Sequence, residues 1–221
     1  MRTKSLLIAA AALAATVISS EAQTVYSANI VGYANVVLHG GYNLVCNPFD
    51  DGNGNNLTNV INPSILPAKS SVTTWNTGLQ GYNGAIIGGA GSWSANTTLP
   101  PGQGFFIKNG TVASPTVTNT FVGSIVVPSG GGIATNVIGT AYSLVGSQIP
   151  YGASDLFTDT NVNLVTSGLA GKSSVTTWNV ALQGYNGAIN FGSPTPTPLA
   201  VGQGFFIKNV QTPTNWVETL H

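Results

Sequence analysis

Charge is what this chain has least of. Six Lys+Arg and six Asp+Glu are spread over 221 residues, 5% of the total. A phosphate backbone needs a dense basic surface, so nucleic acid is excluded as an expected partner. Carboxylates in pairs for glycosidic hydrolysis come down to Asp50/Asp51 or Asp155/Asp159, with Glu218 distant in sequence. Histidine is nearly absent. His39 and the terminal His221 offer little for a Ser-His-Asp arrangement, and His39 reads as a solvated turn residue. Cys46 is the single cysteine, which excludes an intramolecular disulfide. Its place in Leu44-Val45-Cys46 reads as a small buried residue rather than a nucleophile. These shortages point away from an enzyme, and no cofactor or metal is expected.

Long apolar runs are also missing after the N-terminus. Arg2 and Lys4 precede an apolar stretch, Leu6–Ile18, that is too short to span a bilayer. Ser20-Glu21-Ala22 follows with small residues where a signal peptidase reads. Residues 1–22 are therefore expected to be a secretory signal, with the mature chain starting at Gln23. A secreted or cell-surface location without a transmembrane segment follows. Beyond the signal, four lysines (Lys69, Lys108, Lys172, Lys208) face five acids (Asp50, Asp51, Asp155, Asp159, Glu218). Hydrophobic residues at 43% argue against disorder, and Asn, Thr, Ser and Gln must wet the surface.

What is present is duplication. KSSVTTWN occupies Lys69–Asn76 and again Lys172–Asn179. LQGYNGAI recurs at Leu79–Ile86 and Leu182–Ile189, and GQGFFIKN at Gly102–Asn109 and Gly202–Asn209. Upstream, Tyr42-Asn43-Leu44-Val45 answers Tyr142-Ser143-Leu144-Val145, and Val31-Gly32 is matched to Val122-Gly123. Self-similarity at a period near one hundred divides the mature chain into two units, 23–117 and 118–221, with the joint in Thr111–Thr120. Short runs of β-branched and aromatic residues, with no helical period, predict an all-β fold of two tandem antiparallel, sandwich-like units. Asn83-Gly84 and Asn186-Gly187 read as hairpin tips. In the Phe-Phe-Ile-Lys strand, Phe105 and Ile107 share one face and Phe106 and Lys108 the other. Ser193–Pro198, with proline at every second position, reads as an extended loop.

The order Gly-Tyr-Asn-Leu-Val, Trp-Asn, Tyr-Asn-Gly and then Pro101-Gly102-Gln103-Gly104-Phe105-Phe106-Ile107 resembles a family of exported, β-rich bacterial proteins of verrucomicrobial and planctomycete type. The likeness covers nearly the whole mature chain, although Ala200-Val201 stands in the second unit where the first has Pro100-Pro101. It implies export and a β-rich fold, and brings no activity and no catalytic residues.

Two chemistries remain to be weighed. Asp51-x-Asn53-x-Asn55 and Asp159-x-Asn161-x-Asn163 place oxygens at alternate positions as calcium loops do, without the later bidentate glutamate, and read as turns. Trp75 with Tyr82, and Trp178 with Tyr185, recur at equal spacing and are the candidate ligand-binding residues, able to stack on sugar rings. Their apolar neighbours favour a core role. The expected function is a non-catalytic extracellular structural or interaction protein, with extracellular polysaccharide or matrix proteins as partners. The alternative is a carbohydrate-binding module using these rings.

Overall fold

The computed structural model describes residues 31–89, 91–126, 133–150, 154–164, 167–169 and 171–219. The expected signal lies outside them. Strands dominate, and the all-β reading holds. The first repeat runs β1 (Val31–Leu38), β2 (Gly41–Cys46), a single turn of helix α1 (Leu57–Val60), β3 (Ser70–Asn76), β4 (Gly81–Tyr82), β5 (Ile86–Gly89), β6 (Ser92–Trp93), β7 (Gly104–Asn109) and β8 (Val117–Ser124). The second runs β9 (Ile133–Ile138), β10 (Ala141–Gly146), β11 (Ser154–Asp155), β12 (Ser174–Thr176), β13 (Trp178–Asn179), β14 (Gly184–Tyr185), β15 (Ile189–Asn190), β16 (Pro198–Leu199), β17 (Gly204–Asn209) and β18 (Thr214–Thr219).

All pairings between these strands are antiparallel. In the first repeat β2-β7-β3-β5-β6 form a sheet, and β1 pairs separately with β8. In the second, β10-β17-β12-β15 form the matching sheet and β9 pairs with β18. β8 pairs with β1 along its whole length, so this ribbon runs across the division read after residue 117. Gly123 is the ladder partner of Gly32, and Val122 that of Tyr33. Val31-Gly32 and Val122-Gly123 are thus opposite strands of one ribbon rather than copies of each other.

The period-2 alternation of β7 decides the layering. Phe105 and Ile107 point into the first repeat's core with Leu38, Val45, Val72 and Phe121. Phe205 and Ile207 do the same in the second, with Ile138, Val145, Val175 and Trp216. The opposite faces meet in a third cluster, where Leu44 and Phe106 of one repeat pack on Leu144 and Phe206 of the other. Four layers result: ribbon, sheet, sheet, ribbon. Full burial of a Val, Leu, Ile or Phe side chain contributes about 1.5–3 kcal/mol, and those named here are all buried. Pro194 and Pro196 lie outside any strand, as their missing N–H groups require, and only Pro198-Leu199 forms a two-residue pairing with Ser154-Asp155.

At the join between the sheets the chain must turn tightly. Gly102 and Gly202 have φ of 79° and 73° and sit against the other repeat. A Cβ at Gly102 would strike the Asn136 amide, and one at Gly202 the Val36 side chain. Gly102 O accepts from Gly146 N at 3.0 Å, and Gly202 O from Cys46 N at 2.8 Å. Cys46 is fully buried there, its thiol donating to Asn47 O at 3.3 Å.

Candidate functional site

The duplicated octapeptides end in tight turns. Trp75 pairs with Tyr82 and Asn76 with Gly81, so the hairpin tip is Thr77–Gln80. Asn76 Oδ1 accepts from Leu79 N at 2.9 Å, and Gln80 closes the turn in the left-handed region, φ 50°. The copy is faithful: Asn179 Oδ1 accepts from Leu182 N at 3.0 Å, and Gln183 has φ 48°. The Asn-Gly pairs are therefore not the tips. Asn83 instead bonds back to Thr74, N to O at 3.0 Å and Nδ2 to Oγ1 at 2.7 Å, and Asn186 repeats this on Thr177 at 2.9 and 2.8 Å. The amide side chains lock each asparagine to the strand before the turn, which outweighs the bare preference of Asn-Gly for a tip.

This turn aims a glutamine at the other repeat. Gln80 Oε1 accepts from Tyr142 N at 2.7 Å while its Nε2 donates to Tyr142 O at 3.1 Å and to Thr77 O of its own turn at 2.6 Å. Gln183 does the same to Tyr42, 2.6 and 3.2 Å, and to Val180 O at 2.7 Å. The side-chain amide thus satisfies both backbone groups of an edge-strand residue, as a neighbouring strand would. The indoles reinforce it: Trp75 Nε1 donates to Tyr142 O at 3.0 Å and Trp178 Nε1 to Tyr42 O at 2.9 Å. Trp75 also packs edge-to-face on Phe206 with centroids 5.1 Å apart, and Trp178 on Phe106 at 5.0 Å.

Of the four residues singled out from the sequence, all four come together. Trp75 and Trp178 are partly buried in the seam between the repeats. Tyr82 and Tyr185 remain about half exposed, 48% and 49%, and their hydroxyls hydrogen-bond to each other across the pseudo-two-fold. Burial, together with that contact, raises the Tyr82 phenol above its usual range, and burial raises Tyr185. The two tyrosines form a ridge with a cleft on each side. One cleft, about 330 Å³, is lined by Tyr42, Thr73, Tyr82, Phe106, Trp178 and Tyr185. The other, about 360 Å³, is lined by their counterparts Tyr142, Thr176, Tyr185, Phe206, Trp75 and Tyr82. Lys108 Nζ sits 5.6 Å above the Tyr42 ring, and Lys208 Nζ 5.8 Å above that of Tyr142. Sequence reading missed Gln80, Gln183, Tyr42 and Tyr142. The available signal was that each is identical in both repeats.

The remaining candidates have other duties. Asp51 Oδ1 accepts from the N–H groups of Asn53 and Asn55, both at 2.8 Å, and Asp159 Oδ1 from Asn161 N at 2.8 Å. Slight burial opposes ionisation of Asp51, and the backbone N–H groups outweigh it, so its carboxyl lies below the usual range. Among the described residues no group of three His, Cys, Asp or Glu side chains is placed to hold a metal ion. His39 borders a surface cleft with Val36, Trp178 and Gln203, and among the described residues no carboxylate lines it.

Glu218 is fully buried. It accepts from Asn136 Nδ2 at 3.1 Å, from Gln148 N at 3.0 Å and from the Ser147 hydroxyl. Burial pushes its carboxyl up to about 7 against those hydrogen bonds. The Cys46 thiol is raised by its own burial and then by the nearby Glu218 charge, which leaves it an inert thiol.

Comparison of the chain with protein-family models, with characterised proteins and with solved structures finds no match.

Proposed function

We propose that the chain is a non-catalytic structural or interaction module of the cell exterior, related to the exported β-rich proteins its repeats resemble. One observation carries this reading: the duplicated residues that do not fill each repeat's own core include a set that joins the two repeats at the seam. Trp75, Gln80 and Phe106 hold Tyr142 and Phe206, while Trp178, Gln183 and Phe206 hold Tyr42 and Phe106. A duplicated active site would instead keep a nucleophile or acid–base pair in each copy. Glu218, whose carboxyl is raised by burial, is sealed from solvent, and its counterpart in the other repeat is Phe121. Incubation of the mature protein with a panel of polysaccharides, esters and peptides is expected to release no product, and turnover on any of them would overturn the proposal. N-terminal sequencing of the product recovered outside the cell is expected to begin at Gln23.

A second reading, carbohydrate binding, is favoured by the twin clefts. Half-exposed tyrosines over an aromatic floor, with threonine hydroxyls at the edge, match the amphipathic faces of a pyranose ring. Retention on insoluble polysaccharide that is lost in Tyr82→Ala but kept in Val122→Ala, a change on the distant outer ribbon, would support it.

A further inference from the structure

The two clefts flanking the Tyr82–Tyr185 ridge differ from an ordinary apolar groove in three ways. First, they are equal: each of the six lining residues of one has an identical counterpart in the other. Second, the strand edges beside them are closed to peptides. Tyr42 has its N–H and C=O held by Gln183, and Tyr142 has its own held by Gln80, so a polypeptide cannot add there as a strand. Third, the charge beside them has one sign. Tyr42 pairs with Lys108 across β2 and β7, and Tyr142 with Lys208 across β10 and β17, so each lysine shares its face with a cleft wall. Among the described residues no carboxylate lines either cleft.

We infer that the clefts are a pair of equivalent subsites for an anionic glycan, a polymer of uronic acid residues. This rests on the carbohydrate-binding reading above and adds the charge and the stoichiometry. Sugar C–H faces lie against Tyr42 and Tyr82 in one cleft and against Tyr142 and Tyr185 in the other. Hydroxyls meet the Thr73 and Thr176 side chains and the phenols. The carboxylates reach Lys108 and Lys208, whose ammonium groups are drawn to the tyrosine rings and need little reorganisation to accept them.

The test is affinity electrophoresis of the full chain in gels containing polygalacturonate, alginate or fully methyl-esterified polygalacturonate, which keeps the backbone and removes the charge. Retardation by at least one acidic polymer is expected, weakening as salt is raised. The esterified polymer should bind about tenfold more weakly. Lys108→Gln and Lys208→Gln should each lower affinity by a similar amount, because the subsites are equivalent, and the double variant should lower it further with an unchanged unfolding midpoint. Equal retardation by the esterified polymer overturns the inference and leaves the carbohydrate-binding reading standing. Retardation unaffected by both lysine substitutions does the same. No retardation in any gel overturns the inference, and the carbohydrate-binding reading falls with it only if the chain is also not retained on insoluble polysaccharide.

Discussion

The two repeats match along the seam between them and part at one corner of their outer ribbons. At the seam the match is residue for residue: Trp75 and Trp178, Gln80 and Gln183, Phe106 and Phe206, Tyr42 and Tyr142. At the outer corner it breaks. Phe121 stands opposite Ala34 in the first ribbon, and at the same rung of the second, opposite Ala134, stands Glu218. Val36 in the first repeat is replaced by Asn136 in the second, which donates to that glutamate. Two rungs along, Asn119 Nδ2 donates to Val60 O at 3.2 Å, and its counterpart Trp216 reaches Val162 O through its indole at 3.0 Å. The difference follows from where each residue's partner lies. A seam residue packs on its own equivalent's repeat across a pseudo-two-fold, so a change on one side must suit both sides, as in an isologous dimer. The corner residues Val36 and Asn136 also abut the other repeat, but against the bare backbone of Gly202 and Gly102, where an apolar pair or a hydrogen-bonded polar one can fill the same space.

The largest effect tests the seam. Trp75→Ala removes an edge-to-face ring contact and an indole hydrogen bond between repeats, and about 3 kcal/mol is expected in urea unfolding, the low end for a tryptophan because the ring is only partly buried. Trp178→Ala should cost the same within about 0.5 kcal/mol. Markedly unequal losses would break the equivalence of the two halves.

The corner should respond to pH where the seam does not. Glu218 titrates near 7 when folded, against 4.5 as its ordinary value. Between those values the native state holds a proton that the unfolded chain has released, so stability falls as pH rises. It is fully present below pH 4.5 and lost above 7, a change of about 3 kcal/mol. Asp51 and Asp155 act oppositely, being held below their ordinary range, and affect stability only in more acid solution. Glu218→Gln keeps the shape without the charge and should flatten the profile between pH 5 and 8. Urea midpoints across that range, measured on both proteins, decide it, and parallel profiles would mean another group is responsible. Transplanting the first repeat's corner, Glu218→Phe with Asn136→Val, should also abolish the slope.

Strands and their facing were legible because a period of two is a local property. Phe105 and Ile107 went inward and Phe106 outward as alternation demands. The hairpin tip was misread because Asn-Gly is only a preference, and the Asn83 amide found a better partner in Thr74. What Phe106 and Trp75 would face could not be read locally, since their partners are about a hundred residues away. Identity of the whole Leu79–Ile86 block was the available clue, and it included Gln80. Glu218 was the hardest. Alternation with Trp216 puts it on the buried face, but a lone carboxylate without a nearby cation reads as solvent-exposed until its acceptors' donors, Asn136, Ser147 and Gln148, are assembled by the fold.

The smallest effect separates the two contributions of the glutamine turn. Gln80 and Gln183 hold a left-handed backbone that costs a residue with a Cβ about 1 kcal/mol. The amide that this geometry aims across the seam returns a similar amount, because its hydrogen bonds lie where water can replace them. Gln80→Ala loses the bonds and keeps the strain, so a destabilisation of about 1 kcal/mol is expected. Gln80→Gly loses the same bonds and relieves the strain, and should sit within about 0.5 kcal/mol of the parent. The gap between glycine and alanine should be equal at position 183, where φ differs by only two degrees, 48° against 50°. Thermal unfolding of the four variants is the measurement. A glycine as damaging as the alanine at both positions would mean that the turn carries no strain and that the amide alone sets its worth.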